Sequence, residues 1–293
     1  MFRPAVLAAL TLATLLPGCR DDVEAADGGS ADAGADAPDA TPPREHAEPT
    51  AAGIVYFAGI SDALTGPGLV NALHSKLAND HVSISFDALY GAYETLDQGR
   101  DGCIGVYDFY SSKCWAPEEA CGNYTREGDC FNREHSWPKS WWGGGTGPDQ
   151  HEDLVAVIPA DGYVNNSRAQ LPLGPVISAT YTSSNGSKRG LCNVAGSAPG
   201  SGCFEPPDSL KGDFARIYFY MAVRYEGELD CCAEPAVNGA DIVEWQETML
   251  RDWHAMDPVD IPERTRNEDI FGIQRNRNPF VDYPAFVDRI EDF

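Results

Sequence analysis

Asn132-Arg133-Glu134-His135-Ser136-Trp137-Pro138-Lys139-Ser140-Trp141 is the stretch on which the reading of this chain turns. A neighbouring Glu-His pair is ordinary. This one lies between Arg133 and Lys139, with Trp137, Trp141 and Trp142 nearby and Pro138 as a break. Further on comes Asp161-Gly162-Tyr163-Val164-Asn165-Asn166-Ser167-Arg168. A carboxylate, an imidazole and an amide oxygen are the parts needed to hold one hard divalent cation and to deprotonate one water. The cations beside them can hold a phosphate. Together they point to a site that hydrolyses phosphodiesters.

The surroundings of this stretch read as a simple order of elements. Phe131 to His135 is expected to be a short strand that Pro138 ends. The apolar run Leu154 to Ile158, bounded by Asp153 and Pro159, is expected to be a second strand. A helix is expected from Pro159 to Gln170, with Pro159 in its first turn. The Gly143-Gly144-Gly145 turn is no phosphate cradle, because no Gly-Lys-Ser/Thr follows it. Elsewhere, Leu69, Leu73 and Leu77 at helical spacing predict a helix over 68–79, and Leu89, Tyr93 and Leu96 predict one over 86–96. Val106 to Tyr110 is rich in β formers. Phe214, Ile217, Tyr218, Met221, Ala222 and Tyr225 predict the clearest helix, over 213–225. Further helices are expected over 241–253 and from Pro262 to Gln274. No internal repeat is present. The mixture is of the α+β class.

The 293 residues allow one large domain or two small ones, and 43% hydrophobic and 10% aromatic content suffices for a core. The formal net charge of −24 is the wrong sign for a general nucleic-acid binder. Residues 20–48 carry nine acids and two bases, so most of the negative charge lies beyond residue 48. That segment is almost free of bulky apolar side chains and is expected to be a disordered acidic linker. A local basic cleft of Arg133, Lys139 and Arg168, joined by Lys188, Arg189 and Arg275, would still bind phosphates. Distant surface acids are screened over a Debye length of about 8 Å.

Met1 to Cys19 is expected to be a targeting segment. Arg3 supplies the positive end, and Val6 to Leu16 is an apolar stretch too short to span a bilayer. Its end, Leu16-Pro17-Gly18-Cys19, resembles the bacterial lipoprotein cleavage box, which implies lipidation of Cys19. Membrane anchoring, at the outer membrane, periplasm or cell surface, is then expected, with a periplasmic or secreted protein as the alternative. The expected domains are a signal at 1–19, a linker at 20–50 and a catalytic domain at 51–293. Eight cysteines remain: Cys103, Cys114, Cys121, Cys130, Cys192, Cys203, Cys231 and Cys232. An even count in an exported chain implies disulfides, with connectivity left open. Cys192 and Cys203 flank a loop and can pair locally. Cys231 and Cys232 are adjacent and are expected to reach different partners. No Cys-x-x-Cys pair favours zinc.

In these motifs the chain resembles the bacterial endonuclease I family of periplasmic and secreted nucleases, in the ββα-metal (His-Me finger) superfamily. The resemblance rests on Asn132-Arg133-Glu134-His135 with Pro138-Lys139-Ser140-Trp141, on Pro159-Ala160-Asp161-Gly162 with Val164-Asn165 and Arg168, on Phe204-Glu205-Pro206-Pro207, on Gly212-Asp213 with Ala215-Arg216, Tyr218-Phe219 and Met221, and on Asn276-Arg277-Asn278-Pro279-Phe280. It implies a disulfide-stapled, mixed helical α+β domain around a ββα-metal core. It also implies His135 as general base and Glu134 and Asn165 as metal ligands, with Asn166 the competitor for Asn165. The implied metal is one Mg²⁺, with Mn²⁺ or Ca²⁺ as alternatives. Some members place an assisting Arg between the two strands. This chain has no basic residue over 143–149, so Arg168 or Arg133 is expected to substitute. Arg168, one helical turn past Asn165, is the candidate phosphate clamp; Arg277 reads as structural.

Taken singly, these residues have plainer readings. Glu134 is a surface carboxylate, Asn165 a helix cap, and Arg168 the partner of Asp161 or Asp153 in a structural ion pair. The implied activity is sequence-nonspecific hydrolysis of DNA, with RNA as a second candidate, to 5′-phosphate products by a monomer with no protein partner. The alternatives are a non-catalytic surface lipoprotein that uses the fold as a binding module and an exported phosphodiesterase for small substrates. The intact Glu134-His135 and Asn165 set favours the enzyme.

Overall fold

All 14 residues of the helix Lys211–Arg224 are buried. The spacing of its apolar residues predicts one buried stripe, but neighbours cover the opposite face too. Buried cations there are paired rather than solvated, as burial requires. Arg216 Nε meets Glu263 Oε1 at 2.6 Å, and Arg224 meets Asp149 at 3.1 Å and Glu228 at 2.9 Å. This is the structure's central element, and the rest packs around it.

The computed structural model describes residues 48–146, 149–229 and 232–293. In chain order the helices are α1 (Ala51–Tyr56), α2 (Gly66–Asp80), α3 (Ala88–Tyr93), α4 (Gly162–Arg168), α5 (Lys211–Arg224), α6 (Glu244–Met256), α7 (Ile261–Gln274), α8 (Pro279–Asp282) and α9 (Phe286–Arg289). The strands are β1 (Val106–Tyr107), β2 (Cys114–Trp115), β3 (Phe131–His135), β4 (Val157–Asp161), β5 (Val176–Thr182), β6 (Lys188–Cys192), β7 (Gly202–Glu205), β8 (Val237–Asn238) and β9 (Asp241–Ile242). Helices α2, α6 and α8 pack on α5. The sheets are small and antiparallel: β1 with β2, β3 with β4, β5–β6–β7, and β8 with β9. The class is α+β, as expected.

Most helices form where their spacing predicts. Leu69, Leu73 and Leu77 of α2 are fully buried, and Pro67 stands in its first turn. Helix α7 starts at Ile261, where the Asp260 side chain accepts the Glu263 N–H at 2.8 Å. Helix α3 is shorter than expected, although Leu89, Tyr93 and Leu96 are all buried. The β-rich run 106–110 pairs only at Val106–Tyr107, because the chain then turns around the Asp108 carboxylate. That group accepts the N–H of Tyr110 at 2.7 Å and of Ser111 at 3.0 Å, and Trp115 Nε1–H at 2.9 Å.

The second expected strand lies further along the chain than its apolar run. Leu154 to Ala156 form a turn instead. The Asp153 carbonyl takes the Ala156 and Val157 N–H groups at 3.0 and 2.7 Å, and its carboxylate takes the Val155 N–H at 2.9 Å. Tyr220, Tyr225 and Gln274 also donate to that carboxylate, at 2.7, 2.8 and 2.8 Å. Strand β4 then runs through Pro159. Its carbonyl turns away from β3 to the Phe109 N–H at 3.2 Å, so the missing proline N–H costs the β3–β4 ladder nothing. The helix expected from Pro159 starts instead at Gly162. Asp161 caps it, accepting the Tyr163 and Val164 N–H groups at 2.9 and 3.1 Å.

Three disulfides join Cys103 to Cys114, Cys121 to Cys130 and Cys192 to Cys203. The local pairing expected for Cys192 and Cys203 is therefore present. Those six cysteines pair among themselves. Cys232 is disulfide-bonded, and Cys231 lies outside the described residues. So do the expected signal, Cys19 and most of the expected linker. No helix among the described residues is long and apolar enough to cross a membrane.

Asp161 ties the end of β4 to α4 and also accepts the Gly128 N–H at 2.6 Å. Asp161→Ala removes a helix cap, worth about 1 kcal/mol, and strands a further N–H, worth about 1–3 kcal/mol. Urea denaturation is expected to show a loss of about 2–4 kcal/mol.

Candidate active site

Neighbours on a strand point to opposite sides, and β3 uses this at its end. Glu134 turns inward and is only 4% exposed. Its Oε1 accepts the Tyr110 hydroxyl at 2.8 Å and Arg168 Nη1–H at 2.5 Å. Its Oε2 has no hydrogen-bond partner among the described residues. Burial pushes the Glu134 carboxyl above its usual range, and Arg168 and Tyr110 pull it back.

His135 turns the other way, onto Phe86, Trp142 and His151. Its ring stacks on Phe86 at 5.6 Å and meets Trp142 edge-on at 5.4 Å. His135 Nε2 lies 3.1 Å from the His151 carbonyl. A carbonyl only accepts, so Nε2 carries the proton and Nδ1 keeps its lone pair. Burial pushes the His135 pKa down to about 4, so the ring is neutral at physiological pH.

Asn165, on α4, donates from Nδ2 to Asn132 Oδ1 at 2.8 Å. That orientation leaves its Oδ1 without a partner among the described residues. Glu134, His135 and Asn165 line one open cleft of about 430 Å³, together with Arg133, Pro138, Lys139, Ser140, Ala169 and Gln170. Asn166 does not line it. Two neutral or charged oxygens free of other bonds suit a hard cation that keeps several waters, as Mg²⁺ does. The donor set therefore fits the implied metal. The described residues hold no cluster of three or more His, Cys, Asp and Glu, so softer multi-ligand sites are not offered.

The cations divide into held and available. Arg133 donates to the Phe86 carbonyl at 2.6 Å and to Asp87 at 3.2 Å, with its guanidinium over the Phe86 and Tyr90 rings. Lys139 Nζ lies 3.3 Å from His151 Nε2 and pairs with no carboxylate among the described residues. Lys188, Arg189 and Arg275 do not line the cleft.

The expectation that Arg168 clamps a phosphate is corrected. Arg168 is 0% exposed and does not reach the cleft. Besides Glu134, it donates to the His135 carbonyl at 3.0 Å, the Ser136 carbonyl at 2.7 Å and the Tyr218 hydroxyl at 3.2 Å. It is a structural ion pair, but with Glu134 rather than with Asp161 or Asp153. Its work is to hold Glu134 and the turn after β3. Arg277 is structural as expected, paired with Glu268 at 2.6 Å and Asp282 at 2.7 Å. Sequence reasoning missed Tyr110, Tyr218 and His151. Only His151 carried a signal, as the one histidine between the two strands.

Removing one partner of a buried pair leaves an uncompensated charge, typically costing about 3–5 kcal/mol. Arg168→Met is expected to lower unfolding free energy by that amount in urea titrations. A surface phosphate clamp would change the rate and leave stability near wild type.

The model of the family described as Endonuclease I matches residues 65–285. The chain is 32% identical over 252 residues to an extracellular ribonuclease of Bacillus subtilis, covering 83% of this chain and 81% of that one. It is also 32% identical over 234 residues to an extracellular ribonuclease of Bacillus amyloliquefaciens, covering 77% and 74%. The matched span includes β3, β4, α4 and every residue of the cleft, and so this chain belongs to the endonuclease I family of nucleases.

Proposed function

We propose that this chain is an exported, sequence-nonspecific nuclease that hydrolyses phosphodiester bonds with one divalent metal, and that the ββα arrangement of β3, β4 and α4 is a ββα-metal core. The observation that carries the reading is the His135 ring. Its Nε2–H is held by the His151 carbonyl, and its Nδ1 lone pair shares a cleft with the unpartnered oxygens of Glu134 and Asn165. Export is supported by the three disulfides, which persist in oxidising compartments, and by the printed names of the relatives.

The mechanism follows from these roles. His135 Nδ1 takes a proton from water as the water oxygen bonds to phosphorus. The bond from phosphorus to the 3′ oxygen breaks, and that oxygen takes a proton from solvent. Glu134 and Asn165 would hold the cation, which when bound stabilises charge on the leaving oxygen and the scissile phosphate. Arg133 and Lys139 attract the backbone. Glu134 is the one carboxylate in the cleft lining, and Arg168 balances it, so the cleft is locally basic in an acidic chain. The sugar 2′-hydroxyl takes no part, so DNA and RNA both qualify as substrates. The relatives' names support testing RNA as a substrate.

Plasmid nicking and RNA digestion should both require Mg²⁺ and leave 5′-phosphates. His135→Ala should lower the rate about 10²–10⁴-fold while metal dependence stays near wild type. Asn165→Ala should shift metal dependence upward, with excess Mg²⁺ restoring part of the rate, and Glu134→Ala should be restored less. A 3′-phosphate product, or an unchanged rate in His135→Ala, contradicts the mechanism.

The Leu16-Pro17-Gly18-Cys19 box supports a lipid anchor on Cys19. Labelled palmitate should enter the wild-type protein and not Cys19→Ser. A wild-type protein that never takes up label contradicts the anchor.

A further inference from the structure

His151 touches both sides of the chemistry with different atoms. Its backbone carbonyl accepts His135 Nε2–H at 3.1 Å, and its ring Nε2 faces Lys139 Nζ at 3.3 Å. The residue is 4% exposed and its ring packs on Phe86 at 4.1 Å, so neither contact is free to drift. An ammonium has no acceptor capacity, so His151 Nε2 must be the acceptor and the ring must be neutral. Its Nδ1 then carries the hydrogen and has no partner. Of the two cations that line the cleft, Arg133 is anchored through Nη1 to Phe86 and Asp87 with its guanidinium over the Phe86 and Tyr90 rings, which leaves its Nε and Nη2 donors for the backbone. Lys139 keeps two of its three N–H groups unclaimed by any carboxylate among the described residues.

We infer that His151 is a positioning residue that fixes the distance between base and cation: its carbonyl orients His135, and its ring aims the Lys139 ammonium at the scissile phosphate. This rests on the nuclease reading of the same cleft. Lys139 donates hydrogen bonds to the non-bridging phosphate oxygens as their charge grows and gives up no proton. Arg168 is buried and Arg133 is anchored on Phe86, Tyr90 and Asp87, so Lys139 is the cleft cation whose aim depends on His151. Such a donor acts mainly in the transition state, so it belongs in kcat rather than KM.

The test measures kcat, KM and the Mg²⁺ concentration for half-maximal rate on one oligonucleotide, using the full chain with its disulfides intact. Thermal unfolding of each variant checks that it is folded. Lys139→Ala should lower kcat about 10²–10³-fold with KM and metal dependence near wild type, and Lys139→Arg should recover most of the loss. His151→Phe keeps the carbonyl and the packing on Phe86 but removes the ring acceptor. It should lower kcat between about 10- and 100-fold, and His151→Gln should restore part of it. The double variant Lys139→Ala/His151→Phe should be no slower than Lys139→Ala. Losses that multiply in the double variant would show that His151 does not act through Lys139. A Lys139→Ala enzyme with wild-type kcat, beside an inactive His135→Ala, overturns this inference and leaves the nuclease reading standing. A wild-type chain that cuts nothing overturns both.

Discussion

Glu134 is a carboxylate almost without water around it, and Arg168 is what keeps it in place. The pair meets at 2.5 Å with side-chain exposures of 5% and 0%. Desolvating two charges costs several kcal/mol each, and their attraction repays this only when the remaining donors and acceptors are satisfied. Here the two Nη groups also take the carbonyls of His135 and Ser136 and the hydroxyl of Tyr218, while Tyr110 supports Glu134 Oε1; only Nε finds no partner among the described residues. One side chain from α4 thus fixes the end of β3 against α5. The arrangement spends Oε1 on structure and leaves Oε2 for the cleft. Orientation of a ligand by such outer partners is the usual way a metal site is tuned.

The acidity of the chain and its proposed substrate are reconciled locally. A net charge of −24 repels a polyanion at long range, yet charges beyond about 8 Å are screened at physiological salt. Within that distance the cleft presents Arg133, Lys139 and a carboxylate already balanced by Arg168. Weak, local attachment suits an enzyme whose contacts fall on a backbone that carries no sequence information. The same balance makes Lys139 more consequential than its ordinary appearance suggests.

Much of this was legible in the sequence, for identifiable reasons. Helices α2, α5 and α6 announce themselves by apolar spacing, and α7 by proline in its first turn. Strand β3 is set by its length and by Pro138. The strand–strand–helix order was likewise readable, and the structure brings Glu134, His135 and Asn165 to one cleft. The shift of β4 was not, because Leu154 to Ala156 are as apolar as a strand. Only the network converging on Asp153 from Tyr220, Tyr225 and Gln274 turns them into a bend. The role of Arg168 was misjudged for a related reason. Helical spacing put it on the face of Asn165, but spacing says nothing about depth. Tyr110 and Tyr218 looked like core aromatics, and their hydroxyls matter only through contacts made far along the chain.

The central claim is that Glu134 Oε2 and Asn165 Oδ1 hold one hard cation beside the neutral base His135. Anomalous diffraction from crystals soaked in Mn²⁺ tests it directly. The account predicts a single strong site in the cleft, bonded to those two oxygens and otherwise to water, with Arg168 still on Glu134 Oε1. A cation bound to the His135 ring, or one that displaces Arg168 from Glu134, would contradict it.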